Sequence, residues 1–248
     1  MATFVSLISG SSGNATFVSD GKTNLLIDCG MSGAKLKESL HAIDVMPESI
    51  DALLITHEHV DHTKGAGVIS RRYNIPIYTT QGTHTSMDIG NIADENIKII
   101  TEDTDFEIGN IGICPFAIPH DAAQPVGFNF MIGDEKYSLA TDIGQITKSI
   151  LENITGSKKI LLESNHDVEM LKCGTYPYPL KQRILGDRGH LSNERSGQLL
   201  GQVLHDKLKH IVLGHLSKEN NYPELAYETV RLEVEMGDNP YKGDDFPM

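Results

Sequence analysis

Short apolar runs, most of them ended by Gly, Pro, Asp or Asn, recur along the whole 248-residue chain. Runs and alternations of strand length predict strands at about 3–8, 14–19, 23–28, 51–56, 76–80, 97–100, 112–118, 127–132, 136–141, 159–163 and 210–214. Helical spacing predicts helices at about 33–43, 63–73, 145–153, 193–206 and 222–236. Two groups of strands, each followed by helices, predict an α/β protein with two sheets packed face to face and helices outside.

Two dipeptides mark tight turns between predicted strands. Asp20-Gly21 and Gly133-Asp134 favour the positive φ angles of hairpins. No linker, repeat or low-complexity segment divides residues 1–248, which we interpret as a single domain. The final stretch, about residues 237–248, is rich in Asp, Gly and Pro and is expected to pack loosely.

Composition narrows the class of protein. With 39% hydrophobic residues the chain can bury a full core. It has no apolar run of about 18 residues, and its first residues lack the features of a secretion signal, so we expect a cytoplasmic protein with no membrane partner. The cysteines Cys29, Cys114 and Cys173 form no CxxC pair, which argues against disulfides and a cysteine zinc site. Buried thiols are the simpler expectation.

The formal charge of −13 argues against a protein that coats nucleic acid through general basicity. Local binding remains possible, because divalent cations neutralise clustered carboxylates and then attract phosphate. Short basic groups occur at Arg71-Arg72, Lys158-Lys159, Lys181/Arg183 and Lys207/Lys209. Each of these is interpreted as an ordinary solvated face.

The stretch THEHVDHTKG, which follows the apolar run 51–55, concentrates ionisable side chains. If a strand continues there into an extended loop, His57 and His59 point to the same side and can bind one metal ion. Asp61 and His62 follow after the backbone turns, so they can face a second ion. An exposed polar turn would explain a single histidine, but it explains the whole HxHxDH pattern poorly.

Six residues cannot complete two coordination shells, so further ligands are expected at strand ends. Three apolar runs end in suitable side chains: His120 follows ICPFAIP, Asp142 follows YSLAT, and His215 follows IVLG. Imidazole with carboxylate suits zinc and manganese almost equally. The predicted cofactors are therefore two divalent ions, Zn²⁺ or Mn²⁺.

These segments, together with LLIDCG at 25–30, resemble the metallo-β-lactamase superfamily over nearly the whole chain. The resemblance implies a four-layer αββα sandwich with a two-metal site at one edge. It implies that His57, His59 and His120 hold the first metal, and that Asp61, His62 and His215 hold the second. Asp142 would bridge the two metals, and Asp28 would be structural.

Two further segments indicate the substrate class. ILLESNH places Glu163 at a strand end, and DRGHLSN places His190 before a helix. Both are similar in placement to the acid and histidine of the superfamily's phosphodiesterases, where the histidine protonates the leaving oxygen and the acid orients it. A carboxylate on one ring nitrogen favours the charged imidazole, which can act as a general acid. With SGSSGN at 9–14 and LGHLSKENN at 213–221, the segments resemble the WalJ/YycJ group of 5′ to 3′ exonucleases on double-stranded DNA.

The predicted function is hydrolysis of DNA phosphodiesters by a hydroxide activated between two metals, with His190, Glu163 and Asp61 as catalytic residues. Ser192, Ser217 and Asn220, and the loop 12–14, could hold phosphate, although turn formation and helix capping explain each of them individually. His41, His84, His166, His205 and His210 are interpreted as surface or core polar groups. The alternatives are a small-molecule ester, thioester or lactone hydrolase of the same fold and a metal-binding sensor. The residues alone leave the native metal, the choice between DNA and RNA, the polarity of degradation and the oligomeric state open.

Overall fold

The strands form where the apolar runs predict them, with one addition. The computed structural model describes residues 2–248. Its strands are β1 (Thr3–Ile8), β2 (Ala15–Ser19), β3 (Asn24–Ile27), β4 (Ala52–Leu54), β5 (Ile77–Thr80), β6 (Ile97–Ile100), β7 (Phe106–Ile108), β8 (Ile111–Ala117), β9 (Val126–Ile132), β10 (Glu135–Ala140), β11 (Lys159–Glu163) and β12 (His210–Gly214). They form two mixed sheets, with the orders β1-β2-β3-β4-β5-β6 and β12-β11-β10-β9-β8-β7. The predicted turns at Gly21 and Gly133 have positive φ angles of 92° and 60°.

Helices connect many of the strands, which makes the protein α/β as predicted. They are α1 (Gly33–His41), α2 (Val60–Thr63), α3 (Ala66–Tyr73), α4 (Gln81–Ser86), α5 (Lys148–Ile154), α6 (Val168–Cys173), α7 (Tyr178–Leu185), α8 (Asn193–Val203) and α9 (Pro223–Met236). Side chains of Ser32, Thr80, Thr147, Asp167 and Ser192 cap five of their N-termini. Within residues 2–248 no helix combines the length and apolar character needed to cross a membrane.

The chain divides into two compact units. The first comprises Met1–Pro115 and Ala122–Asp134. In this unit β3, β4, β5 and β6 are parallel neighbours, and the strand–helix–strand connections place α1 and α3 against the sheet. Leu36 and Leu40 of α1 and Ile69 of α3 are buried in one core with Leu26 and Leu53. This packing supports the ends of β3 and β4, which carry candidate site residues.

The second unit comprises Phe116–Asp121 and Glu135–Met248. Here β10, β11 and β12 pair in parallel and pack with α5, α8 and α9 around one apolar core. The C-terminal segment differs from the loosely packed tail that its composition predicts. Phe246 is buried in this core, and the backbone N–H of Ile211 donates to the carbonyl of Pro247. Phe246, with Tyr241 and Met248 packed against the same core, thus anchors an otherwise polar segment.

Four elements were absent from the sequence prediction: β7, α4, α6 and α7. α4, α6 and β7 are shorter than the window over which periodicity can be read. α7 begins at Tyr178, between Pro177 and Pro179. Proline is disfavoured inside a helix but tolerated in its first turn, so this sequence has the pattern of a turn although a helix starts there. The helix predicted at 63–73 is instead two helices separated at Gly65, where a Cβ would lie 2.2 Å from the carbonyl oxygen of Met31.

The cysteines differ in accessibility. Cys29 is fully buried, as expected, whereas Cys173 is exposed at the end of α6, contrary to the expectation of buried thiols. Burial raises the pKa of Cys29 to about 12. Since the thiolate is the reactive form, Cys29 is inert near neutral pH.

We predict that a thiol reagent at pH 8 modifies Cys173 in the folded protein, while Cys29 reacts only after unfolding. Mass spectrometry of alkylated peptides, with and without denaturant, measures both rates. Rapid alkylation of Cys29 in the folded protein would contradict the burial described here.

Candidate metal-binding and catalytic site

Three candidate site residues stand just past strand ends in an unusual backbone conformation. Asp28, Asp142 and His215 have φ angles of 59°, 62° and 55°, in the left-handed region that side chains other than glycine seldom adopt. They follow β3, β10 and β12, respectively. Such strain persists only where surrounding contacts enforce it, and it clusters at functional sites. The contacts of these residues are therefore informative.

In the first unit, the side chains of the HxHxDH motif lie close to one another. His57 and His59 lie on an extended stretch, with Nε2 of His57 3.0 Å from Nδ1 of His59. The side chain of Glu58, between these two histidines in the sequence, is engaged outside the pair, because its carboxylate accepts the N–H of Ala123 at 2.8 Å. The chain then turns into α2, where Nε2 of His62 lies 3.5 Å from a carboxylate oxygen of Asp61. These are two adjacent pairs of potential metal ligands, since the ring centroids of His57 and His62 are 4.1 Å apart.

A buried carboxylate fixes the ring of His62. Oδ2 of Asp28 lies 2.8 Å from Nδ1 of His62, and Asp28 also accepts the N–H and hydroxyl of Thr56, each at 2.9 Å. An acceptor on Nδ1 leaves Nε2 as the nitrogen available to a metal. The structural role that the resemblance implies for Asp28 is thus the orientation of one histidine.

Asn14 lies against the same histidine. Its Nδ2 is 3.0 Å from Nε2 of His62 and 3.4 Å from a carboxylate oxygen of Asp61. Its Oδ1 accepts the N–H of Gly10, which fixes the side-chain orientation. Sequence reasoning named the loop 12–14 only as a possible phosphate holder. The structure instead places Asn14 in contact with two predicted metal ligands.

In the second unit, Glu163 is the centre of the hydrogen-bond network. Its Oε1 lies 2.8 Å from Nδ1 of His190 and 2.8 Å from Nδ1 of His215. Its Oε2 accepts the backbone N–H groups of Ile143 and Leu191, at 2.7 and 3.1 Å. The sequence prediction paired Glu163 with His190 alone. One carboxylate therefore orients both a predicted general acid and a predicted metal ligand.

The ionisation of Glu163 follows from this environment. The side chain is 0% exposed, and burial by itself raises the pKa of Glu163. The charge and hydrogen bond of His190, followed by those of His215, outweigh burial and hold that pKa below its usual value. Glu163 is thus a carboxylate acceptor at neutral pH, which makes Nδ1 the protonated nitrogen of both rings.

Asp142 faces the imidazoles of the second unit. Its Oδ1 lies 3.4 Å from Nε2 of His215, 3.7 Å from Nε2 of His120 and 3.7 Å from Nδ1 of His190. The potential ligand atoms of Asp142, Glu163, His190 and His215 all lie within 4.8 Å of one another. A compact set of imidazole and carboxylate donors suits zinc or another late divalent ion. Because Glu163 holds Nδ1 of both His190 and His215, the donors that remain for a metal in this unit are Asp142 and the Nε2 atoms of His120 and His215.

His120 is positioned through its own neighbours. Nδ1 of His120 lies 3.1 Å from the carbonyl oxygen of Gly189, and Arg188 donates to the carbonyl oxygen of His120 at 2.9 Å. Burial lowers the pKa of His120, which keeps the ring neutral, as metal ligation requires. Asp121, absent from the sequence prediction, lies 3.3 Å from Nε2 of His120 and forms an ion pair with Arg183.

The three predicted substrate-binding residues have structural contacts. Ser192 caps α8 by accepting the N–H of Arg195 at 3.3 Å. Ser217 accepts the N–H of Asn220 at 3.2 Å, and both side chains are buried. Burial and these bonds favour the turn and capping roles over contact with phosphate.

Two buried residues after β11 were missed as site neighbours. Asn165 donates to the carbonyl oxygen of His215 at 2.8 Å, which supports the strained backbone there. His166, interpreted as an ordinary polar group, is buried, and burial lowers its pKa to about 4. The sequence ESNH, residues 163–166, contained a signal for these neighbours, because its polar residues continue past the end of β11.

Comparisons with known proteins agree with this geometry. Residues 23–215 match the beta-lactamase superfamily domain. The chain is 40% identical over 236 residues to the exodeoxyribonuclease WalJ of Streptococcus pneumoniae, covering 94% of this chain and 88% of that protein. It is 38% identical over 234 residues to the exodeoxyribonuclease YycJ of Bacillus anthracis, covering 94% and 89%.

Solved structures share the fold at lower identity. The metallo-β-lactamase fold protein YhfI of Bacillus subtilis has a TM-score of 0.66 and 15% identity, covering 94% of this chain and 92% of that one. Zn²⁺-bound PqqB of Methylobacterium extorquens has a TM-score of 0.70 and 19% identity, covering 95% of both chains. The predicted metallo-β-lactamase fold is confirmed.

We predict that Asp28→Asn weakens metal binding about 10- to 100-fold, because the amide cannot hold His62 as the carboxylate does. Titration of the metal-free protein with Zn²⁺ measures the affinity. Asp44→Asn is the matched control, since Asp44 is also an aspartate at positive φ but is exposed. Equal zinc affinity in the two variants would exclude the orienting role of Asp28.

Proposed function

The chain belongs to the metallo-β-lactamase superfamily and is of the WalJ/YycJ type, and from that premise we propose that it is an exodeoxyribonuclease that hydrolyses DNA phosphodiesters. Its relatives are named exodeoxyribonucleases, and membership of the metallo-β-lactamase superfamily supports a metal-dependent one. The 5′ to 3′ direction, the cytoplasmic location and the action of all 248 residues as one catalytic domain are further parts of this proposal.

The proposed metal ligands are those implied by the family resemblance. They are His57, His59 and His120 for one ion, Asp61, His62 and His215 for the other, and Asp142 shared by both. The clusters of histidine and aspartate in each unit support divalent metal binding. Bound Zn²⁺ or Mn²⁺ would supply Lewis-acid activation of water and neutralisation of phosphate charge.

The observation that carries the proposal is the shared contact of Glu163 with His190 and His215, 2.8 Å to each Nδ1. With Nδ1–H donated to Glu163, the ring of His190 directs Nε2 away from the carboxylate. The side chain of His190 is 20% exposed, whereas that of His215 is 3% exposed. His190 is therefore the histidine of this pair that a substrate can reach.

His190 then acts as the general acid. When the P–O bond breaks, the proton on Nε2 moves to the departing sugar oxygen, and the ionised Glu163 stabilises the positive charge that the ring carries beforehand. A sugar alkoxide is a poor leaving group, so proton donation matters for DNA. The alternative, an ester or lactone hydrolase, gives no role to a paired acid and histidine.

We predict that His190→Ala slows hydrolysis of DNA by about 10²- to 10⁴-fold. The loss should be much smaller on bis-p-nitrophenyl phosphate, because the nitrophenolate leaves without a proton. Rates on both substrates test this, with the exposed His210→Ala as control. Equal losses on the two substrates would contradict the general-acid role, and unchanged DNA hydrolysis would refute the proposed function.

Glu163→Gln should differ from His190→Ala in its metal content. An amide cannot serve both imidazoles as the carboxylate does, so we expect loss of activity together with weaker metal binding and a stability loss of about 3 kcal/mol. Elemental analysis after dialysis and urea unfolding of the metal-free protein measure these effects. His190→Ala should retain wild-type metal content. Full metal content in Glu163→Gln would show that His215 does not depend on this contact.

A further inference from the structure

A basic and largely exposed segment comes directly before His190 in an otherwise acidic chain. Residues 172–188, the basic segment, contain Lys172, Lys181, Arg183 and Arg188 and one acid, Asp187, whereas the whole chain carries a net charge of −13. Lys172 pairs with Glu169 just before the segment, so the other three cations carry the argument. A polyanion is repelled by the average surface of such a protein. A local patch of positive charge near the site of hydrolysis would offset this repulsion along the part of the strand that lies beyond the metals.

Hydrogen bonds tie the basic segment to the proposed catalytic residues of the same unit. The backbone N–H of His190 donates to the carbonyl oxygen of Ile184, the last turn of α7, at 3.0 Å. Arg188 donates to the carbonyl oxygen of His120, and Arg183 pairs with Asp121. The Arg183–Asp121 pair is solvent-exposed on the arginine side, and such pairs are weak enough for a phosphate to compete.

Tyr178 stands at the other end of α7 and is 73% exposed. It lies between Pro177 and Pro179. The proline rings fix the φ angles of these two neighbours, which restricts the backbone around Tyr178 before any ligand binds. A large aromatic ring displayed on rigid backbone beside positive charge is the arrangement with which proteins stack nucleobases. A stacked nucleobase would cover this ring in the complex, which accounts for its exposure in the free protein.

We propose that the basic segment is the DNA-binding surface of this protein and that Tyr178 stacks on a nucleobase of the substrate, an inference that rests on the proposed function. Stacking uses the face of a base, which every nucleotide has, so the contact reads no sequence.

Binding of fluorescein-labelled DNA tests the stacking contact. Anisotropy is measured in the His190→Ala background, so that the result does not depend on hydrolysis. We expect Tyr178→Ala to bind a 20-nucleotide DNA about ten-fold more weakly and Tyr178→Phe to bind it normally. Met236→Ala, which removes a side chain that is 71% exposed on α9, is the matched control.

The outcomes separate the two proposals. If Tyr178→Ala binds the 20-nucleotide DNA as tightly as Met236→Ala does, the stacking contact is refuted even when the wild-type protein degrades DNA. If the wild-type protein does not degrade DNA, the proposed function fails, and the binding comparison still decides the role of Tyr178. Thermal unfolding of each variant establishes that the fold is retained.

Salt dependence tests the charged part of the surface. Replacing a phosphate-binding cation lowers the slope of log affinity against log salt concentration by about one. We expect this change for Arg183→Gln and no change for Lys207→Gln, which removes an exposed cation outside the basic segment. Equal slopes for both variants would overturn the assignment of the basic segment.

Discussion

A fully buried carboxylate, Glu163, is the constraint on which the second unit depends. Burying an ionised carboxylate is unfavourable by several kcal/mol unless its lone pairs are satisfied. Here two imidazole N–H groups, from His190 and His215, and two backbone N–H groups, from Ile143 and Leu191, satisfy it. Because one side chain serves all four donors, the proposed general acid, the proposed metal ligand and two loop backbones are fixed together. Pre-organisation of this kind is what general-acid catalysis requires.

The first unit uses the same chemistry on a smaller scale. Asp28 is buried at a strand end and holds Nδ1 of His62, as Glu163 holds Nδ1 of His215. Each contact selects the tautomer that leaves Nε2 for a metal. The left-handed backbone of Asp28 and His215 is the strain that such contacts offset. Gly30 belongs to this arrangement, since a Cβ there would lie 1.6 Å from the carbonyl oxygen of Asp61.

Much of the fold could be predicted because its strands are continuous apolar runs. The pairing of His57 with His59 could be predicted because side chains two positions apart on an extended stretch point to the same side. Other features have no local signal. The second partner of Glu163, His215, is 52 positions away, and the contact of Asn14 with His62 spans 48 positions. α7 was hidden because proline within the first turn of a helix has the sequence pattern of a turn. Only the folded backbone brings these groups together.

The most direct test of the central claim is the protonation of individual ring nitrogens. Histidine ¹⁵N shifts and one-bond N–H couplings, measured by NMR in metal-loaded protein, assign the tautomers of His190 and His215 independently of turnover. The account predicts a slowly exchanging proton on Nδ1 of both rings, lost from both in Glu163→Gln. A ring whose Nδ1 carries no proton, or an Nδ1 proton that survives the substitution, would contradict it.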